Sequence, residues 1–102
     1  MRARIAGTGS CLPRLRVTNE DLGKIMDTSD EWIRSRTGIG ARHIAVEETT
    51  AGMSVAAAKQ AMEEAGIQAE QLDLIIAATL TPDHVLPPLS CEIQSALGAV
   101  HA

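Results

Sequence analysis

The stretch from Leu72 to Leu80, LDLIIAATL, is an almost unbroken apolar run with one charge, Asp73. A strand with one face in water alternates apolar and polar residues, whereas a strand covered on both faces does not have to. The run therefore predicts a β-strand buried on both sides, as in a parallel sheet. Just upstream, AGMSVAAAKQAMEEAG (51–66) places Met53, Ala57, Ala61 and Ala65 four residues apart, with Ala58 and Met62 alongside. That spacing draws one apolar stripe along a helix, and its small side chains suit close packing on a sheet. Thr49 or Thr50 is the expected N-cap and Gly66 the expected stop. Downstream, TPDHVLPP reads as a loop, and LSCEIQSALG (89–98) as another helix, with Pro88 near its first turn and Gly98 at its end.

Toward the N-terminus the signals shorten. RIAGTGS (4–10) reads as a strand running into a glycine turn, and CLPRLRVTN (11–19) as a loop stiffened by Pro13. Asn19 can cap a short helix, EDLGKIM, whose first turn is acidic. TSDE predicts a second helix beginning at Thr28, with Glu31 completing a capping box and Gly38 supplying the left-handed stop. ARHIAV (41–46) is a candidate strand. Strand, helix, buried strand, helix is an α/β pattern. No internal boundary interrupts residues 1–102. A doubly covered strand needs neighbours on both sides and the chain supplies few, so it is expected to be the N-terminal part of a larger domain.

Composition narrows the functional classes. The chain has one tryptophan and neither phenylalanine nor tyrosine, so its core must be aliphatic. The net charge of −4 hides an asymmetry: residues 1–42 hold eight of nine basic residues and stand at +3, while residues 43–102 stand at −7. An acidic total argues against general binding to nucleic acid or anionic membrane. The basic first segment leaves room for a phosphate-bearing small molecule. Cys11 and Cys91 form neither a C-x-x-C nor a disulfide framework. No apolar run is long enough to span a membrane, and MRARIAGTGS lacks the apolar core of a signal peptide, so a cytoplasmic location is expected.

The single indole lies in DTSDEWIRSRTGI (27–39). On a helix starting at Thr28, residues Thr28, Trp32 and Arg36 share one face at i, i+4, i+8, with Ile33 turned inward. An indole can stack a flat heterocycle such as adenine, and a guanidinium can grip a phosphate through two parallel hydrogen bonds. The same Trp–Arg spacing also makes a plain surface cation–π contact, worth roughly 0.5–1 kcal/mol. Spacing alone does not separate the two readings, nor does Thr28, which a capping role already explains.

Several segments together carry a resemblance: GTGSCLP, TNEDL, DTSDEWI followed by RTGI and RHIA, AATLTPDHVLP, and IQSALGA. In this order they resemble the N-terminal third of β-ketoacyl-acyl-carrier-protein synthase III, the initiating condensing enzyme of bacterial fatty-acid synthesis. The resemblance implies a thiolase-like α-β-α-β-α layered fold, usually a homodimer. It implies an acyltransferase that moves a short acyl group from coenzyme A onto a cysteine, then condenses it with malonyl-acyl carrier protein. Acyl-coenzyme A would enter as a substrate, with no separate cofactor. The resemblance also implies that Trp32 stacks on the coenzyme A adenine, with Thr28 and Arg36 on the same nucleotide portion. The family's nucleophilic cysteine and its histidine and asparagine lie beyond this segment.

Two departures stand out. Gly40 follows RTGI where the family often carries a charge, and Leu86 stands where well-known members have a phenylalanine that crosses the dimer to shape the partner's acyl pocket. Other motifs tempt less. Cys91 sits near a helix start, where a thiol's pKa can fall, but LSCEI is not the family's nucleophile motif, so Cys91 is expected to be a small buried filler. His84 beside Asp83 invites acid–base chemistry, yet adjacent side chains seldom converge, so loop anchoring is expected. His43, His84 and His101 have no metal spacing. Gly7 and Gly9 open a G-x-G, but Leu12 and Pro13 break a dinucleotide fingerprint. Arg14 and Arg16 suit a solvated rim, with phosphate or an acidic carrier as the sharper alternative. A related alkylquinolone or polyketide ketosynthase, or a non-catalytic nucleotide-binding or assembly module, remain the competing functions.

Overall fold

Capping chemistry sets most element boundaries. In the computed structural model, which describes residues 2–102, the order is β1 (Leu15–Thr18), α1 (Asn19–Gly23), α2 (Asp30–Thr37), β2 (Ala41–Ile44), α3 (Thr50–Ala65), a 3-10 turn (Ala69–Gln71) and α4 (Leu89–Leu97). These pack as two compact units: Leu12–Glu47, and residues 2–11 with 48–102.

The Leu12–Glu47 unit rests on a two-stranded antiparallel ladder, with Leu15 opposite Ile44 and Thr18 opposite Ala41. Residues 11–19 read locally as a loop, because their ladder partner lies more than twenty residues on. The cap of α1 is Thr18, not Asn19. Thr18 Oγ1 accepts from Asp21 N at 3.1 Å, and Asp21 Oδ2 accepts from Thr18 N at 2.9 Å. This reciprocal pair satisfies two helix-end donors. The Thr18 backbone N–H is the chief reason the Asp21 carboxyl lies below its ordinary range.

Freed from capping, Asn19 is 1% exposed and every polar position of its side chain is used. Its Nδ2 donates to Asp30 Oδ1 at 2.8 Å and to the Ile39 carbonyl at 2.7 Å. Its Oδ1 accepts from Arg42 Nη2 at 2.6 Å, and Arg42 Nη1 donates to the Val17 carbonyl at 3.1 Å. One amide thus ties α2, the turn after it and both strands together. Burying a polar group without partners costs about 1–3 kcal/mol, so a fully bonded asparagine specifies this arrangement.

In the second unit, Thr49 Oγ1 accepts from Gly52 N at 3.0 Å to start α3, and Gly66 ends it at φ 68°. Residues 4–10 form no strand. They lie against α3, with Gly7 and Gly9 giving the closest approach. A Cβ on Gly9 would stand 2.0 Å from the Ala57 carbonyl, and one on Gly7 2.3 Å from the Ala61 carbonyl. Between and beyond the glycines, Thr8 N donates to Glu64 Oε2 at 3.2 Å and Ser10 N to Gln60 Oε1 at 2.8 Å.

The expected doubly buried strand over 72–80 is not formed. Residues 73–80 make no backbone–backbone hydrogen bond with any described residue. Leu74, Ile76 and Leu80 are 70%, 83% and 99% exposed. A ladder requires a neighbouring strand, and no described segment runs alongside as one. The run instead borders an apolar trough of about 380 Å³, shared with Ile5, Ala61, Met62, Ile93 and Leu97.

Candidate functional site: the tryptophan helix and the 81–88 loop

Helix α2 begins two residues later than the sequence reading placed it. Ser29 is the N-cap, its Oγ accepting from Trp32 N at 3.2 Å, and Thr28 stands before the helix. The reason is Asp30. At the first helical position its carboxylate accepts from Asn19 and shares the single Arg34 Nε–H between both oxygens, at 2.9 and 3.0 Å. Those donors, Asn19 first, hold the Asp30 carboxyl below its usual range. The expected capping box from Thr28 to Glu31 is absent, and the three-residue face contracts to Trp32 and Arg36. Gly38 closes the helix in the left-handed region, at φ 72°.

Trp32 is 54% exposed, whereas Ile33 next to it is buried. The Arg36 guanidinium carbon sits over the indole, 4.6 Å from the ring centroid. A hollow of about 320 Å³ borders the same indole and is lined by Asp27, Thr28, Ser29 and Trp32, but not by Arg36. Thr28 therefore meets Trp32 across an open hollow rather than along a helix face. Gly40 lies under the Arg34 guanidinium, where a Cβ would stand 2.5 Å from Nη2. A side chain there would displace Arg34 from its present seat.

The second candidate region is the 81–88 loop. Asp83 accepts from Thr50 N at 3.0 Å and Ala51 N at 2.7 Å, and Thr50 Oγ1 donates to the Thr81 carbonyl at 3.1 Å. The Ala51 amide, then that of Thr50, holds the Asp83 carboxyl below its ordinary value. His84 turns the other way, its Nδ1 donating to Glu92 Oε1 of α4 at 2.8 Å. Asp83 and His84 thus diverge and anchor the loop to two helices. Between the anchors and α4, Leu86 is 80% exposed. His43 Nδ1 donates to the Pro13 carbonyl at 2.7 Å. Cys11 and Cys91 are free thiols, and Cys91, expected as a buried filler, is exposed on α4. Among the described residues no cluster could hold a metal ion, and no helix is long and apolar enough to cross a membrane.

No family model matches the chain. Individual proteins do. Over its full length the chain is 54% identical to the Bacillus anthracis protein named β-ketoacyl-[acyl-carrier-protein] synthase III 1, covering 33% of that protein. The chain is homologous to about a third of β-ketoacyl-acyl-carrier-protein synthase III. The synthase III of Xanthomonas campestris pv. campestris (strain 8004) is also 54% identical, over 96% of this chain and 30% of its own. The solved synthase III of Aquifex aeolicus VF5 superposes with a TM-score of 0.89 at 54% identity, over 94% of this chain and 31% of that one. The priming β-ketosynthase of the R1128 polyketide pathway gives 0.90 at 39% identity, over all of this chain and 33% of that one. The fold is therefore a part of the thiolase-like α/β architecture, and the chain spans about a third of the curated synthase III relatives it matches.

Sequence reading missed Asn19 and Asp30, which seat the tryptophan helix. The signal for the first was present. Thr18 and Asp21 in TNED have capping-box spacing, which would have released Asn19 for another role. Nothing local marks Asp30 as the partner of Asn19.

Proposed function

We propose that this chain supplies the nucleotide end of the coenzyme A site in an initiating condensing enzyme. The reaction would join a short acyl-coenzyme A with malonyl-acyl carrier protein to give a 3-oxoacyl-acyl carrier protein. The observation that carries the reading is the placement of Trp32. A chain with a single aromatic side chain keeps it half exposed over an open hollow, with a cation on its ring. The adenine would stack on the indole from the hollow, beside Thr28. Arg36, already steering the ring, would extend its remaining N–H groups to phosphate. Acyl-coenzyme A acts here as a substrate, and no separate cofactor is invoked. The cysteine, histidine and asparagine of the condensing chemistry would come from outside these residues, and the enzyme would work as a cytoplasmic homodimer. Leu86, on its doubly anchored loop, would enter the partner's acyl pocket.

A related reading is a priming ketosynthase of polyketide synthesis. It is favoured by the R1128 enzyme, which superposes as well as the Aquifex protein does. The 54% identity to the Bacillus anthracis and Aquifex aeolicus synthases, against 39% to the R1128 enzyme, supports the fatty-acid reading.

The indole offers a direct test, since no other aromatic side chain contributes fluorescence. Coenzyme A should quench Trp32 emission, and pantetheine, which lacks the nucleotide, should not. Arg36→Ala should weaken the quench-derived affinity. In a protein that joins this chain to the remaining two thirds of the Bacillus anthracis relative, Trp32→Ala should raise the KM for acetyl-coenzyme A. Loss of one stacked base costs about 1–2 kcal/mol, roughly 5–30-fold. An unchanged emission spectrum and an unchanged KM would together remove the platform.

A further inference from the structure

Helix α2 has two competent starts, and the structure takes the one that makes fewer local bonds. A Thr28 start would bring a reciprocal box: Thr28 Oγ1 would accept from Glu31 N, and the Glu31 carboxylate from Thr28 N. The Ser29 start makes a single cap bond, from Trp32 N to Ser29 Oγ at 3.2 Å. Glu31 is exposed and closes no box, and Thr28 N donates to the Met26 carbonyl at 3.0 Å. Contacts outside the helix set this choice. Asn19 Nδ2 donates to Asp30 Oδ1 at 2.8 Å and to the Ile39 carbonyl at 2.7 Å. One buried amide therefore pins the first residue of α2 and the turn beyond its end. Residues 24–29 must then span a fixed gap between Gly23, the end of α1, and Asp30. Ser29 spans its part extended, at φ −143° and ψ 158°. An extended residue advances about 3.3 Å and a helical one about 1.5 Å, so winding Ser29 into α2 would shorten the connection by roughly 2 Å. The Thr28 carbonyl oxygen also lies against Gly23, where an added Cβ would stand 3.2 Å from it. In the earlier start that carbonyl would turn to Trp32 N.

We infer that Asn19, acting through Asp30, is a positioning residue for the nucleotide hollow: it holds α2 to the Ser29 start and so keeps residues 27–29 unwound beside the indole. The walls of the hollow other than Trp32 are Asp27, Thr28 and Ser29. Starting the helix at Thr28 rewinds Ser29 and turns the Thr28 hydroxyl onto Glu31 N, out of the hollow. Neither Asn19 nor Asp30 lines the hollow, so both act through the backbone. The inference rests on the nucleotide reading for what enters the hollow, while the choice of start does not depend on it.

NMR of the labelled full chain reads the start without ligand, because the Ser29 Cα shift separates extended from helical backbone. A coenzyme A titration followed by Trp32 emission reads the hollow. Asp30→Ala frees the first residue of α2 and leaves Asn19 its bonds to Ile39 and Arg42. Asn19→Ala frees both ends, and Asp30→Ala keeps the test open where Asn19→Ala loses too much structure. In each, Ser29 should turn helical and coenzyme A affinity should fall about tenfold. Glu31→Ala alone should change neither readout. Added to Asp30→Ala, it removes the competing box, so Ser29 should return to extended and most of the affinity with it. A merely structural role predicts the opposite sign, since the first turn then loses its second acid. An extended Ser29 in Asp30→Ala would overturn the inference. So would a helical Ser29 with unchanged affinity, or a further loss of affinity on adding Glu31→Ala. If coenzyme A leaves the emission of the unmutated chain unchanged, the nucleotide reading falls, and the Ser29 shifts still decide the start.

Discussion

The two units solve the problem of a small core in opposite ways. The Leu12–Glu47 unit closes itself with polar chemistry. Asn19, Asp30, Arg34 and Arg42 satisfy one another across two strands and a helix, and little aliphatic burial is needed beyond Ile33. The other unit relies on shape. Alanines and glycines bring 4–10 onto α3, α4 packs beside it, and the most apolar segment of the chain stays uncovered. Hydrogen bonds are directional and can be satisfied by a few residues, whereas burial of apolar surface is non-directional and scales with the facing area. The same sequence therefore holds one region tied by polar bonds and one held by close apolar contact, and both leave large aliphatic side chains in water.

The largest expected effect breaks the polar region. Asn19→Ala removes three side-chain bonds at once, leaving Asp30 to Arg34 alone and Arg42 to the Val17 carbonyl alone, at a cost of about 2–4 kcal/mol. Trp32 lies in that unit, so its fluorescence during urea unfolding should show the loss, while circular dichroism, dominated by α3 and α4, should move less. If both probes shift equally, the units are not energetically distinct.

Next comes the shape-dependent region. Gly9→Ala drives a methyl into the Ala57 carbonyl, and either the segment or α3 must shift, at about 1–3 kcal/mol. Here the circular dichroism transition should move and the fluorescence transition should not. A neutral Gly9→Ala would show that the close approach is dispensable.

The smallest effect is at neutral pH and grows in acid. The Asp83 carboxyl titrates below its ordinary 3.8 because it accepts from the α3 N-terminus. Its stabilisation is complete above that ordinary value and is lost as the pH falls through the lowered one. Asp83→Asn should therefore flatten the acid limb of melting temperature against pH below about 4, with little change at pH 7. An acid limb unchanged by the substitution would assign the dependence to Asp21 or Asp30.

How much of this was legible in the sequence differs between the units. The stripe of α3 and the stops at Gly38, Gly66 and Gly98 are local signals, and the structure has each; of the two expected starts, Thr49 and Thr50, it uses Thr49. So is the inward turn of Ile33. The β1–β2 ladder was half legible: Ala41–Ile44 lies within the expected strand, but Leu15–Thr18 alternates weakly and carries Arg16. The run at 72–80 was legible as an apolar segment that suits a buried strand, but neither its pairing nor its burial can be read from the segment itself. At the site, the Trp32–Arg36 contact follows from helical spacing. The displacement of Thr28 from the helix does not, because Thr28 and Ser29 are both competent caps and the choice rests on a distant amide.

The contacts of residues 7–10 with α3 carry one more consequence. Gly7 meets Ala61 and Gly9 meets Ala57, while Thr8 reaches Glu64 and Ser10 reaches Gln60. Two steps along one segment match four along the other. Two residues of extended chain advance about 6.6 Å and four of helix about 6 Å, so the pairs form a vernier. A one-residue slide brings a side chain over a carbonyl where a notch had been, and the next fit lies a full helical turn away. The helix is indexed like a toothed rack, and an inserted residue between Ala57 and Ala61 would jam it rather than let it creep.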